Sequence, residues 1–179
     1  LTSAGEQRML RRRSPFYAGE IIRTAAASEV QLRFSDGALM SLRADSELKV
    51  DDYRFQNQGG AGDRSMSTLI KGGLRTITGV IGKQDPAAYQ LSTPVATIGV
   101  RGTHYEAVLE SSKSLVLAAW QGGIRVRNEQ GAIDLGAGAD YNFARAEAGQ
   151  EPNGLMEPPA VLQSETPVGQ AQPDEQTAS

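Results

Sequence analysis

Residues 88–110, AYQLSTPVATIGVRGTHYEAVLE, alternate apolar and polar side chains and break at glycines. Tyr89, Leu91, Thr93 and Val95 point one way. After a phase change at Ala96, so do Ile98 and Val100. Period-two patterning describes a strand with one buried face. Thr93-Pro94 interrupts the first run, and Gly99 and Gly102 flank Val100-Arg101. A glycine inside a strand pattern marks a bulge or a close backbone approach. The stretch therefore predicts two strands and a glycine-rich corner at the centre of the fold.

The same grammar runs along most of the chain. Val30, Leu32 and Phe34 alternate with Gln31 and Arg33, and Asp36-Gly37 closes the run with a hairpin-type turn. Met40 and Leu42, then Leu48 and Val50, supply the next strands, with Tyr53 and Phe55 as aromatic partners. Residues 67–81, STLIKGGLRTITGVI, carry a helix-like apolar spacing, but Gly72, Gly73 and Gly79 oppose a helix, so strand, turn, strand is the reading. Ser114–Trp120, SLVLAAW, is apolar throughout and predicts burial on both faces. Ile124 and Val126, Ile133 and Leu135, and Tyr141 and Phe143 complete the pattern. Short strands eight to ten residues apart define an all-β chain, either a β-solenoid-like stack or a two-layer sandwich. The glycine-punctuated repeats favour the solenoid-like form.

Charge divides the 179 residues. From Ala146 onward there are six acids and no Lys or Arg, which leaves 18 basic against 15 acidic residues before that point. Five of the eight prolines fall in the last 28 residues. The expected organisation is one all-β domain over residues 1–144 and a disordered, Pro-rich acidic tail over 145–179. The mild positive charge of the body is too diffuse for a nucleic-acid surface. With no cysteine, disulfides and thiol-based metal sites are excluded. No apolar run reaches the length of a membrane span. The chain does not begin with Met, so a mature exported product is the expectation.

Arg11-Arg12-Arg13, with Arg8 nearby, is the only dense charge cluster. It is a candidate contact for an anionic partner, against the plainer alternative of a solvated strand edge. The corner Arg101-Gly102-Thr103-His104 is the second candidate. Arg101 would either clamp backbone carbonyls or recognise a carboxylate. His104, the only histidine, shares a strand face with Glu106, but no second His or Cys completes a transition-metal site. Asp36-Gly37 and Asp51-Asp52 lack the ordered oxygen spacing of a calcium loop. Asp134 and Asp140 carry nothing that fixes a glycosidase separation. Trp120 suits core filling better than sugar stacking. No Gly-x-Ser-x-Gly elbow and no phosphate loop occurs. No enzyme, cofactor or metal is expected.

Several segments, in order, carry a resemblance. They are Gly19-Glu20-Ile21-Ile22-Arg23-Thr24, Leu32-Arg33-Phe34-Ser35-Asp36-Gly37-Ala38, Leu42-Arg43-Ala44-Asp45-Ser46 and Lys71-Gly72-Gly73-Leu74-Arg75. Thr93-Pro94-Val95-Ala96-Thr97-Ile98-Gly99-Val100-Arg101-Gly102-Thr103 and Gln121-Gly122-Gly123-Ile124-Arg125-Val126 follow. Together they resemble the FecR-type domain from about Gly19 to Val126. The resemblance implies a strand-rich domain in the periplasm or cell envelope. Its best-known members are sensor-regulators of iron uptake, with a cytoplasmic anti-sigma segment and one membrane helix. Neither part occurs in these residues, and the chain looks closer to the exported relatives that lack both. The expected function is a non-catalytic envelope binding or signalling module that engages a protein partner through its β-rich surface. One alternative is a carbohydrate- or cell-wall-binding module using Tyr53, Phe55 or Tyr141 with Arg11 to Arg13. The other is the periplasmic part of an anti-sigma regulator.

Overall fold

The computed structural model describes residues 5–56 and 61–162. The strands are β1 (Ile21–Arg23), β2 (Val30–Arg33), β3 (Leu39–Leu42), β4 (Glu47–Arg54), β5 (Arg64–Lys71) and β6 (Gly73–Ile77). One short helix, α1 (Val80–Gln84), precedes β7 (Tyr89–Ser92), β8 (Thr97–Ser111), β9 (Ser114–Arg127), β10 (Ala132–Gly136), β11 (Phe143–Glu147) and β12 (Asn153–Leu155). The expected all-β class is present. Its topology is one sheet of twelve strands that does not close.

The order β1-β4-β5-β7-β8-β6-β3-β2 ends in β1 on one side and β2 on the other. Every pairing is antiparallel except β5 with β7. The hairpin β8–β9 is the spine. Along one edge of β8, residues Thr97 and Ile98 meet β7 and residues His104 to Val108 meet β6. Its other edge meets β9, which pairs in turn with β10 near one end and β11 near the other.

The spine bends at the predicted glycine corner. On β8 the residues facing the main core are Ile98 and Val100 before the corner, then Tyr105, Ala107 and Leu109 after it. On β9 they are Leu115, Leu117 and Ala119, then Ile124 and Val126. Both strands thus change parity, and the register shifts between Arg101 and His104 mark the bulge that does it. Gly102 at φ 55 and Gly122 at φ 74 take the left-handed conformations. A Cβ on Gly122 would lie 2.5 Å from the Gly102 carbonyl oxygen, so the two strands can touch here only because the side chain is missing.

Ser114–Trp120 is buried on both faces up to Ala119, as its unbroken apolarity predicts. Leu115 and Leu117 join the main core, while Val116 and Ala118 form a smaller cluster on the opposite face with Val108 and Leu162. That cluster also corrects the domain boundary read from the sequence. The ordered chain runs past Ala144 through β11 and β12 to a 3-10 turn at Ala160–Leu162, and Leu162 is fully buried. Ala144 and Ala146 are small enough to sit in the core against β9, which lets Phe143–Glu147 pair there. Residues 163–179 of the expected tail lie outside the described residues.

Asp36-Gly37 is a turn, with Gly37 at φ 88 and its N–H donating to the Phe34 carbonyl at 3.0 Å. The Asp36 carboxylate is buried and accepts from the backbone N–H of Ala38 at 3.1 Å and of Ile81 at 3.3 Å, tying the hairpin to α1.

Candidate functional site: an arginine-lined groove beside a free strand edge

Among the described strands, β2 pairs only with β3. A groove of about 960 Å³ is lined by residues 29–35, by the incoming segment 10–18, and by Val50 and Tyr53 of β4. Along β2, Leu32 points into the core while Gln31 and Arg33 are exposed. The fourth side of this groove is thus strand backbone without a neighbouring strand.

The segment that borders the groove is anchored rather than loose. Arg8 spans both oxygens of the buried Glu20 carboxylate, at 2.9 and 3.0 Å, and donates to the Pro15 carbonyl at 2.6 Å. The same carboxylate accepts from the Tyr17 N–H at 2.8 Å. Phe16 meets Phe34 edge-on at 5.2 Å between ring centres, and Phe34 meets Tyr53 at 5.3 Å. The Tyr53 hydroxyl accepts from the Asp36 N–H at 2.9 Å and shares a hydrogen bond with Ser35 Oγ at 3.0 Å. Burial, only partly offset by these contacts, holds its ionisation above the usual tyrosine value.

Arg11 to Ser14 forms a tight turn. Ser14 N–H donates to the Arg11 carbonyl at 2.9 Å, and Arg11 N–H donates to Ser14 Oγ at 2.8 Å. Arg13 adopts φ 66, a left-handed conformation that costs a non-glycine residue about 1 kcal/mol. The turn therefore holds Arg11, Arg12 and Arg13 at the groove, joined there by Arg33 from β2. Arg11, Arg13 and Arg33 make no ion pair among the described residues, and Glu29 is the acid in the lining. The groove is cationic along its rim and aromatic on its floor.

The second predicted site separates into parts. Arg101 is exposed, and the clamping expected of its guanidinium falls to Thr103. That threonine is buried; its Oγ1 donates to the Gly123 carbonyl at 2.6 Å and accepts from the Arg101 N–H at 3.2 Å. Its N–H donates to Thr78 Oγ1 at 2.8 Å.

His104 lies past the corner, on the face opposite the main core and beside Glu106, as the strand parity predicts. Its Nε2 is buried without a hydrogen-bond partner among the described residues, and burial followed by the positive charge of Arg75 pulls its pKa below the usual imidazole value, against the opposing pull of Glu106.

Sequence reasoning missed what surrounds Glu106. This carboxylate is fully buried, ion-paired to Arg43, 3.7 Å from Arg75 Nη2, and accepts from the Trp120 indole N–H at 3.1 Å. Arg75 also lies over the Trp120 ring at 5.8 Å, and Trp120 packs edge-on against Phe143 at 5.6 Å. The available signal was an acid in an otherwise apolar run, on a strand flanked by arginine-bearing strands. Trp120 itself is 38% exposed, so it fills the second face rather than the main core.

Tyr53 and Tyr141 are partly buried and pack against the core. Asp134 is paired with Arg125 through two contacts of 3.2 Å, and Asp52 lies 3.1 Å from Arg64. The described residues hold no group of three or more metal-ligating side chains and no helix long and apolar enough to cross a membrane.

The family model described as FecR protein matches residues 20–125. Two crystal structures of candidate anti-sigma factors from Parabacteroides distasonis ATCC 8503, at 2.50 and 1.65 Å resolution, share the fold. Their TM-scores are 0.56 and 0.55, at 13% and 11% sequence identity. Each match covers 73% of this chain and 56% of the other, so this chain spans little more than half the length of those proteins. No curated protein matches the sequence.

Proposed function

Since the chain belongs to the FecR protein family, we propose that it is a non-catalytic regulatory module of the cell envelope that binds a protein partner by strand addition at β2. The partner segment is extended and acidic. It pairs its backbone with the open edge of Val30–Arg33 and sets its carboxylates against Arg11, Arg12, Arg13 and Arg33. The observation that carries this reading is the coincidence of an edge left unpaired by the described strands with Arg11, Arg13 and Arg33, which make no ion pair among the described residues. Exposed edges are normally blunted by charge or covered, because an unprotected edge recruits other chains. Here four arginines outnumber the one acid of the lining, Glu29, a balance that selects an acidic chain.

The likeness to candidate anti-sigma factors favours placing the module in a longer sensor-regulator, on the periplasmic side, with partner capture as its input. Fluorescence anisotropy with a labelled peptide of repeated Glu-Val tests the binding. Saturable binding that weakens steeply between about 50 and 200 mM salt supports it. Equal binding of a Lys-Val peptide, or none of either, refutes it.

A further inference from the structure

The bent spine leaves a second concavity, of about 410 Å³, on its outward side. Its lining includes Gly99 and Arg101 of β8, Gly123 and Arg125 of β9, and Asp134 of β10. The register sets these side by side. Arg101 lies opposite Gly123, which lies opposite Gly136; Gly99 lies opposite Arg125, which lies opposite Asp134. Each arginine therefore stands next to a position without a side chain.

Gly99 has no structural reason to be glycine. A Cβ there would meet nothing within 4 Å, and its φ lies outside the left-handed region. Glycine inside a strand weakens it, through lost chain entropy and lost packing. A Cβ at Gly123 would come no nearer than 3.4 Å to the Leu135 carbonyl, an ordinary contact. What the missing side chains do is keep the floor of the cavity open. Gly102 and Gly122, by contrast, need their left-handed conformations to build the corner.

The charges in the lining do not cancel. Arg125 is engaged by both oxygens of Asp134, whereas Arg101 is exposed and makes no ion pair among the described residues. Lys83 lies by the glycine corner, its Cγ 3.5 Å from where a Gly102 side chain would begin. The remaining walls, Pro86, Ala87, Ala137 and Ala139, are small and apolar. A concave site with one open guanidinium and apolar walls suits a ligand with one planar anionic group, which arginine grips with two parallel hydrogen bonds.

We propose that this cavity binds a single carboxylate carried on a short apolar body, the size of two or three residues at a peptide C-terminus, with Arg101 as its anchor. The site lies away from the β2 groove and stands or falls independently of it. The test is a ¹⁵N-resolved NMR titration of the whole chain with N-acetyl-alanyl-alanine. Its C-terminal amide, which lacks the carboxylate, and inorganic phosphate at matched ionic strength serve as comparisons. The amide signals of Gly99, Gly102 and Gly123 should shift saturably with the free acid alone. Arg101→Gln should weaken binding at least tenfold without moving the thermal midpoint, since the side chain is exposed. Gly99→Leu, which fills the floor, should abolish it. Equal shifts with the amide overturn carboxylate recognition. Equally tight saturation by phosphate overturns the preference for a planar carboxylate. An unchanged affinity in Arg101→Gln overturns the site.

Discussion

Two sets of arginines lie on this protein, and they are treated in opposite ways. On the outer face of the spine, Arg43 and Arg75 converge on the buried Glu106, with the Trp120 indole beside them. At the N-terminal groove, Arg11, Arg13 and Arg33 face solvent with no carboxylate matched to them among the described residues. The first set is engaged within the fold by a buried carboxylate. The second set is positioned by the backbone, even at the cost of a left-handed Arg13, yet its charge is left open. Charge answered from within is structural; charge presented and left unanswered is available to a partner. Arg8 makes the contrast within a single segment, since its own fork on Glu20 is what holds the neighbouring arginines at the groove.

The contrast predicts a graded series of effects. Glu106→Ala strands two partly buried guanidinium groups and a buried indole N–H, and should cost about 3 kcal/mol in urea unfolding while leaving peptide binding at β2 intact. A loss below about 1 kcal/mol would mean that the outer arginines are as loosely held as the groove ones. Thr103→Val removes the hydroxyl that serves the Gly123 carbonyl and the Arg101 N–H, and should cost about 2 kcal/mol in the same measurement.

His104 supplies a smaller, pH-dependent effect. Its folded pKa is below the unfolded value near 6.5, so the unfolded chain takes up the proton first. The contribution is constant above that pH and declines as the pH falls below it. His104→Gln should flatten the fall in stability below about pH 6.5. An unchanged slope would mean that Glu106 outweighs burial and Arg75 at this imidazole.

Smallest in stability, and largest in binding, is the combined change Arg11→Gln, Arg13→Gln and Arg33→Gln. Unfolding should move by less than about 0.5 kcal/mol, as for surface substitutions generally, while affinity for the Glu-Val peptide and its salt dependence are lost. A large stability loss would place these arginines with Arg43 and Arg75 and end the distinction.

The sequence was informative where structure is local. Alternation over Ala88–Glu110 revealed the strands, and Gly99 to Gly102 located the bend. The apolar run Ser114–Trp120 disclosed a strand covered on both faces. Contacts between distant residues were not legible. The Glu106 network draws on Arg43, 63 residues away, and no period in the chain announces that pairing. Nor does the N-terminal arginine cluster say by itself that it lies beside β2, because the sheet brings β2 and β4 to the same groove through the order of eight strands. The boundary set at Ala144 failed for a related reason. Composition marked the segment as tail-like, but Ala144, Ala146 and Leu162 find burial against strands formed much earlier.

The measurement that bears most directly on the central claim is amide hydrogen exchange across β2, with and without saturating Glu-Val peptide. Strand addition places new hydrogen bonds on the open edge of Val30–Arg33, so exchange there should slow while the outer face around Glu106 stays unchanged. Binding that leaves β2 exchange untouched would contradict the account, reducing the groove to a patch of positive charge.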